Sequence, residues 1–139
     1  MTIYQSLSHS KWECKYHIVF IPKYRKKVLY GRINEFLKKT FHELARQKGC
    51  EIIGGNIVHD HVHMIISIPP KYAVSEIIGY LKGKSAIAVA RQFGGKQKNF
   101  NGESFWARGY AVSTVGYELE KVKEYVKNQE QIDGADGAF

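Results

Sequence analysis

The segment VHDHVHMIISI, residues 58 to 68, sets His59, His61 and His63 at alternating positions just where the chain begins to read as a β-strand. Side chains at i and i+2 of a strand leave the same face with Cα atoms about 6.6 Å apart, so His61 and His63 can converge on one ion. Val62 between them points the other way, into a core. Imidazole is a common ligand for zinc, manganese and similar ions. Two ligands alone rarely hold a catalytic metal, and a lone His-x-His strand is more readily a solvated or hydrogen-bonded pair. His59 has the same parity but belongs to the turn, and Asp60 offers a further oxygen ligand.

A second set of chemical groups lies near the C-terminus, in EYVKNQEQ. Tyr125 and Gln129 are four residues apart and share one helical face, with Lys121 one turn earlier. By position alone Tyr125 is an amphipathic residue on the rim of an apolar stripe, and Gln129 is a solvated one. As chemistry, a tyrosine that attacks a phosphodiester forms a phosphotyrosine and frees one sugar hydroxyl, conserving bond energy for later rejoining. A phenol with a pKa near 10 is mostly protonated at neutral pH. A divalent ion that polarises the phosphate supplies part of the help it needs, and Lys121 is a candidate proton carrier.

The elements that must position these groups follow from periodicity. WECKYHIVFIP (residues 12 to 22) reads as a strand after a polar leader and stops at Pro22. From Ile33 the apolar Phe36, Leu37, Phe41 and Leu44 recur at helical spacing, and Gly49 is placed to end that helix. CEIIGGNIVHD and HVHMIISIP read as a hairpin that turns at His59 and Asp60. Ser75 is a candidate cap for a helix whose stripe is Ile77, Ile78, Leu81 and Ala88, and Gly79 and Gly83 imply close packing against it. FWARGYAVSTV is a further strand, and YELEKVKEYVKNQEQ a last helix. The order predicts one α+β domain, 1–139, of ferredoxin-like β-α-β-β-α-β topology: an antiparallel sheet, helices on one face, and an added C-terminal helix carrying the tyrosine. Its core spans about residues 10–131, with 132–139 a flexible tail.

The 139 residues include 21 Lys and Arg against 13 Asp and Glu, a net charge of +8 that favours a polyanionic partner. Cys14 and Cys50 lack metal-ligand spacing and form no disulfide framework, which fits a reducing cytoplasm. No signal-peptide order and no apolar run of the roughly 20 residues needed to span a membrane is present, so a soluble cytoplasmic protein is expected. Lys23, Arg25, Lys26 and Lys27, with Lys82, Lys84 and Arg108, are candidates for DNA-backbone contacts. Trp106 and Tyr110 are candidates for stacking on bases, with core or dimer packing the more natural role for Trp106.

DHVHMII fits the HUH motif of histidine, bulky hydrophobic residue and histidine, and EYVKNQ fits a helix bearing one tyrosine with a glutamine one turn later. With YHIVFIPKYRKKVL, YLKGKSA and FWARGYAVSTVG in the same order, the chain resembles the HUH single-tyrosine transposases, the TnpA-type enzymes of bacterial and archaeal insertion sequences that move as single-stranded DNA. The resemblance implies that His61, His63 and Gln129 are metal ligands and that Tyr125 is the nucleophile. It implies cleavage of single-stranded DNA at element ends, leaving a 5'-phosphotyrosine and a free 3'-hydroxyl, with magnesium or manganese as the ion. It further implies hairpin recognition and a homodimer in which the tyrosine helix can complete the partner's site. Gly116 would then be a hinge before that helix, where otherwise it is an ordinary turn glycine. The alternatives are a domesticated repeat-associated relative or relaxase-like nickase with the same chemistry, a ferredoxin-like nucleic-acid binder without catalysis, and a zinc hydrolase using Asp60.

Overall fold

A computed structural model of the chain describes the backbone of residues 5 to 7, 10 to 93 and 105 to 115, and the side chains of residues 12 to 93 and 105 to 115. Gly116, Lys121, Tyr125, Gln129, the expected C-terminal helix and the tail from 132 lie outside the described residues. The expected polar leader is instead a small antiparallel hairpin, β1 (Gln5–Leu7) with β2 (Ser10–Trp12). The single strand expected over 12–22 divides after Trp12, and β3 runs Lys15–Phe20. Of the two residues between, Glu13 pairs with Lys15 at 2.8 Å, and the Cys14 carbonyl accepts the N–H of Ile68, just past the end of the strand that pairs with β3.

The remaining elements are α1 (Gly31–Gln47), β4 (Glu51–Val58), β5 (His61–Ser67), α2 (Val74–Phe93) and β6 (Ala111–Val115). They form an antiparallel sheet of order β4-β5-β3-β6, the split β-α-β-β-α-β arrangement that the alternating patterns predict. Cross-strand partners share a face. Ile18 opposite Met64, and Phe20 and Ile57 opposite Val62, therefore line one side of the sheet, where they join Leu37, Phe41 and Leu44 of α1 and Ile77, Ile78, Leu81 and Val89 of α2 in one apolar cluster. Both helices cover this face. Gly49, with φ +68, ends α1 as expected, its N–H donating to the Arg46 carbonyl.

Helix α2 departs from expectation in three ways. It starts at Val74, so Ser75 is its second residue rather than its cap. Its buried face is Ile77, Ile78, Leu81, Ser85, Ala86 and Val89, with Ala88 only half-buried. Gly79 and Gly83 are exposed, and a Cβ at either meets nothing within 4 Å, so no described element packs closely there. The physical reason is that apolar and small residues lie on several sides of this helix, and the sequence alone leaves its rotation open. Among the described residues no helix is long and apolar enough to cross a membrane.

One irregularity sets the geometry of β4. Ile52 pairs with Ile66 but Gly54 pairs with Ile65, so Ile53 is an extra, bulged residue. The bulge switches parity: Ile52 faces the helices, whereas Asn56 pairs with His63 on the opposite face. Gly55 follows at φ +119, and a Cβ there would lie 2.3 Å from the His63 carbonyl oxygen and 2.6 Å from the Met64 Cα. Only glycine satisfies both constraints. Gly55→Ala is expected to destabilise the fold by about 3 kcal/mol or more, whereas Gly79→Ala should stabilise it by about 0.5–1 kcal/mol. Urea unfolding midpoints of the two variants, at unchanged m, check both expectations.

Candidate active site

His61 opens β5 and His63 follows on the same face, the one away from the helices. Between them Val62 is fully buried in the core, as the alternation requires. The two half-buried imidazoles approach edge to face, ring centroids 4.4 Å apart. Asp60 does not join them as a third ligand in the described geometry. Its Oδ1 lies 2.6 Å from His61 Nδ1, and its Oδ2 accepts from Arg25 Nε at 3.1 Å. His59 is farther away, its Nε2 4.0 Å from Oδ1.

Burial, the largest single influence on the Asp60 carboxyl, pushes its pKa up. The His61 hydrogen bond and the charges of His61, Arg25 and His59 together outweigh it, holding the group below its ordinary 3.8. The carboxylate is then a pure acceptor, so His61 Nδ1 carries the hydrogen of the bond between them. An imidazole held in this way is suited to bind an ion through Nε2. Gln129, the expected third ligand, and Tyr125, the expected nucleophile, lie outside the described residues. Among the described residues no group of three His, Cys, Asp or Glu side chains could hold an ion. The described donors thus fit two positions of a metal site.

Two neighbours of this pair have no signature in sequence spacing. His17 stacks on His63, centroids 5.7 Å apart and planes 15° from parallel, and its Nε2 is buried without a partner. Asn56 sits opposite His63 in the β4 register, fully buried, with neither amide atom hydrogen-bonded. Unmet buried polar groups of this kind cost about 1–3 kcal/mol each and concentrate at functional sites. Only the pairing register, Val19 opposite His63 and Asn56 opposite His63, reveals them.

The basic run after β3 lies against the same turn. Lys23 N donates to Phe105 O, Leu29 N to His59 O, and Arg25 N to Pro22 O. Within it Tyr24 and Arg25 adopt left-handed backbone conformations, φ +62 and +51, which for non-glycine residues cost about 1–3 kcal/mol each. Lys23, Arg25, Lys26 and Lys27 are exposed here, and Tyr24 stands 80% exposed among them. Lys84 and Arg108 are also exposed. Lys82 is half-buried and donates to the Ala107 and Gly109 carbonyls at 2.8 and 2.9 Å, with burial pulling its pKa below 10.5. A phosphate contact from Lys82 would compete with those bonds. Trp106 is buried, edge-on to Phe20 and Phe105, and its indole N–H donates to Ser85 Oγ at 3.0 Å. Tyr110 is 37% exposed and precedes β6 rather than sharing a strand with Trp106. A cavity of about 780 Å³ opens on the other side of the turn, lined in part by Tyr30, Arg32, Phe36 and His59. His61 and His63 do not line it, so their chemistry belongs to the sheet face.

An antiparallel ferredoxin-like sheet that presents a His-Val-His pair beside a basic turn defines a class, the HUH domains that process nucleic acid. Residues 10–129 match the family described as Transposase IS200 like. The chain is 42% identical over 129 residues to the transposase for insertion sequence element IS200 of Salmonella typhimurium, covering 93% of this chain and 85% of that protein. It belongs to the IS200-like transposase family. A crystal structure of a transposase from Deinococcus radiodurans R1 superposes with a TM-score of 0.72 at 27% identity, over 90% of this chain and 97% of that one. A REP-associated tyrosine transposase bound to a REP hairpin shares the fold, with a TM-score of 0.65 at 15% identity over 96% and 75% of the two chains.

His17 gives the site a pH signature. Burial lowers its pKa below 6.5, so the unfolded chain binds its proton more readily than the folded one. Its contribution to stability is therefore full above about pH 6.5 and is lost as pH falls through the lowered value. The urea midpoint should fall between about pH 7.5 and about pH 5.5, and His17→Gln should make that fall shallower.

Proposed function

We propose that this chain cleaves and rejoins single-stranded DNA at the ends of an insertion sequence, through a 5'-phosphotyrosine on Tyr125. The observation that carries the reading is the His61–His63 pair, its first imidazole fixed by Asp60 and a basic turn beside it, in a chain of the IS200-like family. In the cleavage step Tyr125 Oη attacks the scissile phosphorus, the new bond joins the tyrosine to the 5'-phosphate, and the departing 3'-oxygen takes a proton. Rejoining reverses this: a 3'-hydroxyl attacks the phosphotyrosine and releases the phenol. Lys121, one turn before Tyr125, is the candidate to carry the proton.

His61 and His63, with Gln129, would hold a magnesium or manganese ion. When bound, such an ion polarises the phosphate and offsets its charge. Two imidazoles suit manganese better than oxygen-seeking magnesium. Lys23, Lys26 and Lys27 follow the DNA backbone, with Lys84 and Arg108 as outer contacts. Hairpin recognition is supported by the REP hairpin on the structurally similar transposase. A homodimer, with Gly116 letting the tyrosine helix reach a second subunit, completes the proposal.

The test uses labelled single-stranded DNA containing the element's hairpin end, with and without manganese. Wild-type protein should form a covalent adduct that depends on the ion, and Tyr125→Phe or His63→Ala should abolish it. Cleavage that survives Tyr125→Phe would overturn the mechanism, and DNA binding without cleavage by wild-type protein would favour a non-catalytic binder. Lys26→Ala should weaken DNA binding alike for all sequences and lower the slope of log affinity against log salt by about 1.

A further inference from the structure

We infer that Arg25 is a positioning residue that acts through Asp60 to fix the ring of His61. This rests on the reading of His61 as a metal ligand. Asp60 is flanked by two imidazoles, and its Oδ1 can serve either one. The structure has it 2.6 Å from His61 Nδ1 and 4.0 Å from His59 Nε2. The second oxygen is taken by Arg25 Nε at 3.1 Å. With each oxygen committed to one partner, the plane of the carboxylate is held toward His61 rather than His59, and the His61 ring is fixed with its Nδ1 on Asp60.

The cost of placing Arg25 argues that the contact serves the site. The residue and its neighbour Tyr24 both hold left-handed backbone conformations, braced by the Arg25 N–H on the Pro22 carbonyl and the Lys23 N–H on the Phe105 carbonyl. That turn is what carries the guanidinium from the end of β3 across to the β4–β5 turn. The Arg25 side chain is 65% exposed. Exposed ion pairs contribute little to stability, so the strained turn gains little for the fold itself. Its product is a fixed orientation of Asp60. The contact uses one of five guanidinium donors, so Arg25 can hold Asp60 and still meet DNA.

The experiment is done on DNA-free, full-length protein, comparing wild type, Arg25→Ala, Arg25→Gly and, as a control for lost charge, Arg46→Ala in the last turn of α1. Arg25→Gly relieves the left-handed strain while removing the clamp, so a defect in it is not a folding defect. Ring 15N shifts of His61, recorded under identical conditions, should show one tautomer with hydrogen on Nδ1 in wild type and Arg46→Ala. Both Arg25 variants should show a mixture. Mn2+ affinity, measured by the electron paramagnetic resonance of the free ion, should fall about tenfold in the Arg25 variants. A wild-type 15N pattern in both Arg25 variants overturns the inference, whether or not Mn2+ binds. Redistributed tautomers in a chain whose wild type binds no Mn2+ would leave the positioning role standing and remove the metal reading.

Discussion

Burial of Val62, Met64 and Ile66 in the apolar cluster commits β5 to one register. A strand alternates, so sinking these three residues forces His61 and His63 out on the opposite face together. A slip of one residue would put the histidines into the core in place of three large apolar side chains, whose burial contributes about 1.5–3 kcal/mol each. The apolar core therefore does more than stabilise the domain: it aims the histidine pair. The antiparallel partners carry that aim outward, Val19 of β3 and Asn56 of β4 both lying opposite His63. Through the same register His17 comes to stack on His63.

Around this fixed strand the unfavourable local geometry is concentrated. The β4 bulge and Gly55, pressed against the His63 carbonyl, lie on one side of the pair. The left-handed residues Tyr24 and Arg25 lie by its turn, and the unmet amide of Asn56 lies opposite His63 on the neighbouring strand. Each of these costs free energy that an ordinary surface would avoid, and the cluster of buried apolar residues offsets them. Gly49 closes α1 in a familiar way, and Trp106 has its one polar atom matched to Ser85.

The basic residues divide by environment rather than by charge. Lys23, Lys26 and Lys27 remain exposed on the braced turn, where a phosphate can reach them. Lys82 is tied to the carbonyls of Ala107 and Gly109 and helps hold the segment that leads into β6. In the sequence these lysines are indistinguishable, since burial and hydrogen-bond partners are properties of the assembled chain. Family membership agrees with a basic, nucleic-acid-directed surface.

Local periodicity was enough to read the order of the elements from β3 to β6, the α+β class, the hairpin turn at His59 and Asp60, and the shared face of His61 and His63. These rest on alternation over two residues and repeats near 3.6, which any short window of chain carries. The short motifs HVH and EYVKNQ also made the family legible, because their residue types and order are themselves the signal. What only the tertiary structure decided involves pairs far apart in the chain. The rotation of α2, the parity switch at Ile53, the placement of His17 and Asn56, and the Arg25–Asp60–His61 chain all depend on which strand lies beside which, and in what register. One inserted residue reverses every face after it, and nothing in the string EIIGGNIV says where that insertion falls.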